Sequence, residues 1–193
     1  MVNRKRLDDS IYTKIHIIGG AGSGKTTLCR WLADTLGYPC YELDRVGWTV
    51  TGKVPLAKRL AAVDEILTQP QWITEGAFLW WTDSLLVAAD VIVWLDLPFS
   101  ITGWRIVKRH MLASWGGNNP HAGVLNLLRF IYSVGRAYYM KEPLQPQAPD
   151  DDFAITRAAT KQVLSNHKGK LVHCRRQSEI RQFQEQVSNL VAP

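Results

Sequence analysis

Residues Lys14 to Leu36 read KIHIIGGAGSGKTTLCRWLADTL, and the rest of the chain is arranged around them. An apolar run, Ile15 to Ile18, meets a glycine-rich turn ending in Gly24-Lys25-Thr26, and Leu28, Leu32 and Leu36 then recur at the spacing of one helical face. The order is strand, loop, helix. Gly19, four further residues, Gly24, Lys25 and Thr26 fit the pattern G-x-x-x-x-G-K-[ST]. Glycines permit backbone angles closed to other residues, and their missing side chains let main-chain N–H groups surround an anion. A helix beginning near Lys25 aims its unpaired N–H groups and positive dipole end at the same place. The stretch therefore reads as a phosphate loop. Gly20, Ala21, Gly22, Ser23, Gly24, Lys25, Thr26 and Thr27 would cradle the nucleotide, with Lys25 on the β- and γ-phosphates and the Thr26 hydroxyl on Mg²⁺.

Outward from this loop, the chain alternates between short apolar runs and amphipathic ones. Strands are expected at Cys40 to Leu43, Trp72 to Thr74, Val91 to Leu95 and Leu171 to Cys174. The helix after the loop should stop near Gly37 and Pro39. Pro55 opens another, with Leu56, Leu60, Val63 and Leu67 on its apolar face, and Pro70 ends it. Phe78, Trp80 and Trp81 fall in a less regular segment. Helices are predicted over about 99–114 and 121–140, separated by the turn-rich Gly116 to Pro120, and again from about Asp152 to His167 after a proline-punctuated stretch. Ile180, Phe183, Val187 and Leu190 mark a terminal helix. Five apolar strands alternating with helices predict a parallel sheet covered on both faces. Ligands in such folds bind beyond the carboxyl ends of the strands, where Asp44, Glu75, Asp96 and the phosphate loop all fall.

Composition narrows the setting. A chain of 193 residues with 46% apolar and 21% charged residues is expected to be one globular domain. Arg4-Lys5-Arg6 precede Asp8, Asp9 and Ser10 rather than an apolar segment, so no export signal is expected. The run Leu85 to Leu97 is broken by Asp90 and too short to span a bilayer. Cys29, Cys40 and Cys174 cannot all pair with one another and lack metal-ligand spacing, so core thiols in a cytoplasmic protein are expected. No acidic residue occurs between Asp96 and Glu142, whereas Arg105, Lys108, Arg109, Arg129, Arg136 and Lys141 do. Those six equal the whole net charge of +6.

The sequence resembles the adenylate-kinase-like group of P-loop kinases, and within it a branch called DNA topology modulation proteins. Carrying the resemblance are KIHIIGGAGSGKTT, YELDRVGW, WITEG, DVIVWLDLP, the pair Arg105 and Arg109, and KLVHCRR, in that order along nearly the whole chain. It implies a three-layer P-loop NTPase fold with strand order 2-3-1-4-5 and a helical lid inserted at about 99–160. It further implies Glu75 as the Mg²⁺ carboxylate in the Walker B place, and Asp44 as the carboxylate facing the phosphate acceptor. Arg105 would flank the nucleotide base, Arg109 would touch phosphate, and Arg157 would be the arginine that closes the lid. The turn from Arg175 to Ser178 would lie along the base. Asp96, just before Leu97-Pro98, reads instead as a helix cap. Where the branch often has an Asn-Tyr-like pair after the Glu-Gly, this chain has Ala77-Phe78, which leaves the acceptor open.

The resulting expectation is an ATP- and Mg²⁺-dependent phosphotransferase acting on a small molecule, a nucleotide or nucleoside among the candidates. The alternative is a nucleotide-dependent NTPase or nucleic-acid-binding protein that uses the basic segment on a phosphate backbone. No helix-turn-helix or zinc-finger pattern is present, and no Asn-Lys-x-Asp guanine-reading motif occurs. Oligomeric state is not readable from these patterns.

Overall fold

The computed structural model describes residues 12–115, 124–139, 146–148, 151–152 and 155–191. The N-terminal eleven residues, the turn Gly116 to Pro120, Lys141, Pro143, Pro149 and the side chain of Arg136 lie outside this set. In chain order the elements are β1 (Lys14–Gly19), α1 (Lys25–Leu36), β2 (Cys40–Glu42), α2 (Leu43–Gly47), the hairpin β3 (Trp48–Thr49) and β4 (Gly52–Lys53), α3 (Leu56–Thr68), β5 (Trp72–Gly76), a 3-10 turn (Trp80–Thr82), α4 (Asp83–Ala88), β6 (Val91–Leu95), α5 (Phe99–Trp115), α6 (Val124–Tyr139), α7 (Arg157–Leu164), a 3-10 segment (Ser165–Lys170), β7 (Leu171–Cys174) and α8 (Gln177–Val191).

The five long strands form one parallel sheet in the order β2-β5-β1-β6-β7. Numbered among themselves they run 2-3-1-4-5, with β1 at the centre between β5 (Ile18 opposite Gly76) and β6 (Gly19 opposite Leu95). Side chains alternate across the sheet, so each strand feeds two cores. Ile15, Ile17, Ile73, Val91 and Val93 pack under Leu28 and Leu32 of α1 and Ile180, Phe183 and Val187 of α8. Ile18, Ile92 and Trp94 face the other way, toward Val63 and Ile66 of α3, Leu85 and Leu86 of α4, and Leu164 of α7. Burial on both faces explains why the strands read as unbroken apolar runs. Asp90 fixes the start of β1 by accepting from the Thr13 and Lys14 N–H groups at 2.9 and 2.8 Å.

Several elements depart from the sequence reading. β2 ends at Glu42, and Leu43 to Gly47 turn into a short helix that carries Asp44. The aromatic segment after β5 is a 3-10 turn leading into α4, held by the Thr82 hydroxyl donating to the Leu79 carbonyl at 2.6 Å. The inward face of α3 is Arg59, Val63 and Ile66, while Leu60 is 41% exposed. Cys29 and Cys40 are joined by a disulfide, where thiols were expected, because the buried face of α1 meets the start of β2 with their Cα atoms 6.1 Å apart. Cys174 is the buried free thiol, pushed up to about 12 by desolvation and the charge of Glu179. Among the described residues no helix is long and apolar enough to cross a membrane.

Candidate active site

β1 delivers the chain to the glycine loop at the carboxyl edge of the sheet. A Cβ at Gly19 would stand 2.8 Å from the Leu95 carbonyl and from the Ser23 hydroxyl, so the loop packs against β6 with no room for a side chain. Gly22 has φ +74° and Gly24, which caps α1, has φ +99°; both are left-handed conformations that disfavour any other residue. A Cβ at Gly22 would also meet the Thr102 carbonyl of α5 at 2.6 Å. The Ser23 N–H donates to the Gly20 carbonyl at 3.3 Å, and the Lys25 ammonium donates to that same carbonyl at 3.3 Å. Burial pulls Lys25 below the ordinary lysine range, against the attraction of Glu75 and Asp44, and the charge of Arg109 adds to the lowering.

At the second residue of α1, the Thr26 hydroxyl donates to Glu75 Oε1 at 2.7 Å. Glu75, the penultimate residue of β5, is 2% exposed, and its Oε2 is buried without a protein partner among the described residues. Desolvation raises the Glu75 carboxyl, although Thr26 and Lys25 oppose the rise. An oxygen pair of this kind, a hydroxyl and a carboxylate with a spare lone pair, suits a hard cation such as Mg²⁺. Among the described residues no cluster of three His, Cys, Asp or Glu side chains could hold a metal alone. Thr26 and Glu75 would therefore supply part of the coordination, with phosphate and water oxygens completing it. Thr27 is exposed at the start of the same helix, and Asp44 is exposed at the carboxyl end of β2.

The arginines separate into distinct places. Arg105 leans from α5 onto the back of the loop, donating to the Ser23 carbonyl at 3.0 Å and to Gln177 Oε1 at 2.7 Å. It thus ties the loop to the turn after β7. Arg109, one turn along α5, is exposed and near enough to Lys25 to perturb it. Arg175 has an exposed side chain, and its main-chain N–H is capped by Glu179 Oε2 at 2.5 Å. Gln177, two residues on, carries the side-chain link instead. Its signal in the sequence was only its place in the turn after the last strand.

Asp96 is not a helix cap. Its carboxylate accepts from Arg157 Nε at 2.6 Å and Arg157 Nη2 at 2.8 Å, and it pairs with His173 Nε2 at 2.8 Å. Burial pushes this carboxyl up, but the hydrogen bonds from His173 and Arg157 outweigh it and hold it below the usual range. His173 is in turn stacked on Trp94, ring centroids 4.1 Å apart. Arg157 opens α7 and is clamped by this bidentate pair at the edge of the cleft.

Between the loop and α7 lies a cavity of about 320 Å³. It is lined by Gly19, Gly20, Ala21 and Ser23 of the loop, by Asp44, Trp48, Ala77 and Phe78, and by Asp96, Asp152 and Arg157. Asp152 is anchored by Arg59, a fully buried residue of α3 that reaches it at 3.3 Å while its Nε holds the Val54 carbonyl at 2.7 Å and its guanidinium lies 5.4 Å from the Trp81 ring centre. Neither Arg59 nor Asp152 stood out in the sequence, because Arg59 interrupts an apolar face and Asp152 sits in a proline-rich stretch. The structure thus gathers Lys25, Thr26 and Glu75 at the loop and sets Asp44 and Arg157 on the cavity that adjoins it, with Arg105 behind the loop and Arg175 exposed.

No family model matches the chain, and no curated protein matches it. Among solved structures it is similar to a shikimate kinase from Acinetobacter baumannii in complex with shikimate, with TM-score 0.44 and 18% identity over 80% of this chain and 94% of that one. A gluconokinase from Sinorhizobium meliloti 1021 has TM-score 0.44 and 16% identity over 82% and 98%. A shikimate kinase from Bacteroides thetaiotaomicron has TM-score 0.44 and 14% identity over 90% and 97%. At these values the substrates in those names belong to those proteins alone.

Proposed function

We propose that the protein is an ATP- and Mg²⁺-dependent phosphotransferase acting on a small molecule that occupies the cavity beside the phosphate loop. The observation that carries the reading is that Asp44, a carboxylate with no ion-pair partner among the described residues, faces the same cavity as the loop glycines. Phosphoryl transfer needs little covalent help from the protein. It needs the two reactants held in line, charge offset at the transferring group, and water kept out. Lys25 and the amides of Gly20 to Thr26 hold the triphosphate, with Thr26 and Glu75 as the protein's share of the Mg²⁺ site. When bound, the cation offsets charge on the β- and γ-oxygens. Asp44 orients the acceptor hydroxyl and takes its proton, while Arg109 and Arg157 supply positive charge from the lid side. The lid itself is proposed to be the helical insertion at about 99–160. The affiliation with the DNA topology modulation branch is part of this proposal and rests on the order of the motifs alone.

The test is calorimetry with Mg²⁺-ATP together with a coupled ADP-release assay over a panel of acceptors. The wild type should bind Mg²⁺-ATP and release ADP faster when the right acceptor is added, and Lys25→Ala should lose both. Binding to DNA at low salt with no acceptor-dependent ADP release would overturn the kinase reading in favour of a nucleic-acid role.

A further inference from the structure

The two sides of the cleft differ in sign. On the nucleotide side stand Lys25, Arg105 and Arg109, grouped around the loop. Among the described residues, three carboxylates border the cavity, Asp44, Asp96 and Asp152, against one guanidinium, that of Arg157. Arg157 spends its Nε and Nη2 on Asp96. Asp152 is matched by Arg59 at 3.3 Å and Lys53 at 3.5 Å, and neither of those cations borders the cavity. Asp44 has no ion-pair partner among the described residues. The remaining surface is mostly apolar, and Trp48, Phe78 and Trp94 contribute rings to it. His173 covers one face of Trp94, while Trp48 is 41% exposed.

A phosphate or carboxylate on an acceptor would find no unpaired cation among the described residues bordering the cavity, and it would meet the like charge of Asp44. Aromatic faces beside carboxylates instead favour uncharged rings and cations. The volume, about 320 Å³, is at the small end of ligand pockets, which run from about 300 to 1,000 Å³.

Resting on the phosphotransferase reading, we infer that the acceptor is a small hydroxylated ring compound that is uncharged or positively charged, and not a monophosphate or a hydroxy acid. Its ring stacks near Trp48 and Phe78, and its hydroxyl is presented to Asp44. In the transfer the hydroxyl oxygen forms a bond to the γ-phosphorus, the bond from that phosphorus to the bridging oxygen breaks, and the hydroxyl proton passes to Asp44. The products are ADP and a phosphate monoester.

The experiment uses the full chain with Mg²⁺-ATP and four groups of probes at equal concentration: nucleosides, amino sugars, nucleoside monophosphates and sugar acids. Tryptophan fluorescence reports binding, and coupled ADP release reports turnover. At least one nucleoside or amino sugar should raise ADP release tenfold or more over the basal rate, and the two anionic groups should raise it less than twofold. The split between nucleosides and amino sugars identifies whether the ring carries a charge. Trp48→Ala should raise the KM of the active acceptor about tenfold with kcat changed less than threefold. A nucleoside monophosphate or sugar acid with the highest kcat/KM overturns the inference while leaving the kinase reading intact. So does Mg²⁺-ATP binding with neither binding nor turnover of any uncharged or cationic probe. Failure to bind Mg²⁺-ATP at all removes the underlying reading instead.

Discussion

Two glycines of the phosphate loop, two residues apart, should respond to the same substitution in opposite ways. Gly22 has φ +74°, and a Cβ placed on it would come within 2.6 Å of the Thr102 main-chain carbonyl and 3.1 Å of Ile106 on α5. Gly20 has no positive φ, and a Cβ there meets nothing within 4 Å. For Gly22→Ala the left-handed backbone costs about 1–2 kcal/mol. Displacing a packed helix carbonyl adds about 1–3 kcal/mol. The sum, about 2–5 kcal/mol, corresponds in a chain of this size to a fall in Tm of roughly 4–20 °C. For Gly20→Ala the folded state is not strained and the unfolded chain loses freedom, so stability should be unchanged or higher by up to about 1 kcal/mol. Both variants and the wild type would be compared by urea titration and calorimetric melting without nucleotide. A Gly22→Ala protein as stable as the wild type, or a Gly20→Ala protein that loses as much as Gly22→Ala, would refute the reasoning, because the two positions differ only in the tertiary contacts and backbone angles described here.

Two further outcomes follow from buried polar groups. His16 is fully buried on β1 with Nδ1 2.8 Å from the Thr74 hydroxyl, and burial pushes it down from 6.5 to about 3. Its folded form resists a proton that the unfolded chain accepts, so stability is full above pH 6.5 and is lost as pH falls toward about 3, with about 2 kcal/mol gone by pH 5. Unfolding free energies from urea titration at pH 7.5 and 5 should differ by that much more in the wild type than in His16→Gln, and equal differences would exclude the histidine as the cause. Asp96→Asn should lower stability by about 1–3 kcal/mol, the lower part of the range for a buried charged hydrogen-bond network, since the Arg157 side chain is 40% exposed and water can solvate it. If Asp96 positions Arg157 for transfer, acceptor-dependent kcat should also fall about tenfold or more with Mg²⁺-ATP affinity within threefold of wild type; a loss of stability with kcat unchanged would make the network structural only.

The central β1-loop-α1 unit was legible because its demands are local. A glycine pattern at fixed spacing, an apolar run before it and a 3.6-residue apolar period after it each act over a few residues. The parallel sheet followed from unbroken apolar runs that only burial on two faces explains, and the strand ends placed Asp44, Glu75 and Asp96 at one edge. What the sequence could not supply were relations across long separations. Asp96 met Arg157, 61 positions away, and His173, 77 away, instead of the helix start beside it. Arg59 met Asp152 across 93 positions, and Gln177 met Arg105 across 72. The Cys29–Cys40 bond required knowing that α1 lies over the start of β2.

By itself, then, the amino-acid sequence determined the phosphate loop and the layered fold that carries it, because backbone sterics and hydrophobic periodicity are written into neighbouring residues. The tertiary structure alone decided which charges are spent on one another and which are left facing the cavity. That distinction depends on distances of about 3 Å between groups far apart in the chain, and in the low-dielectric interior such distances decide whether a charge is neutralised or available to a ligand.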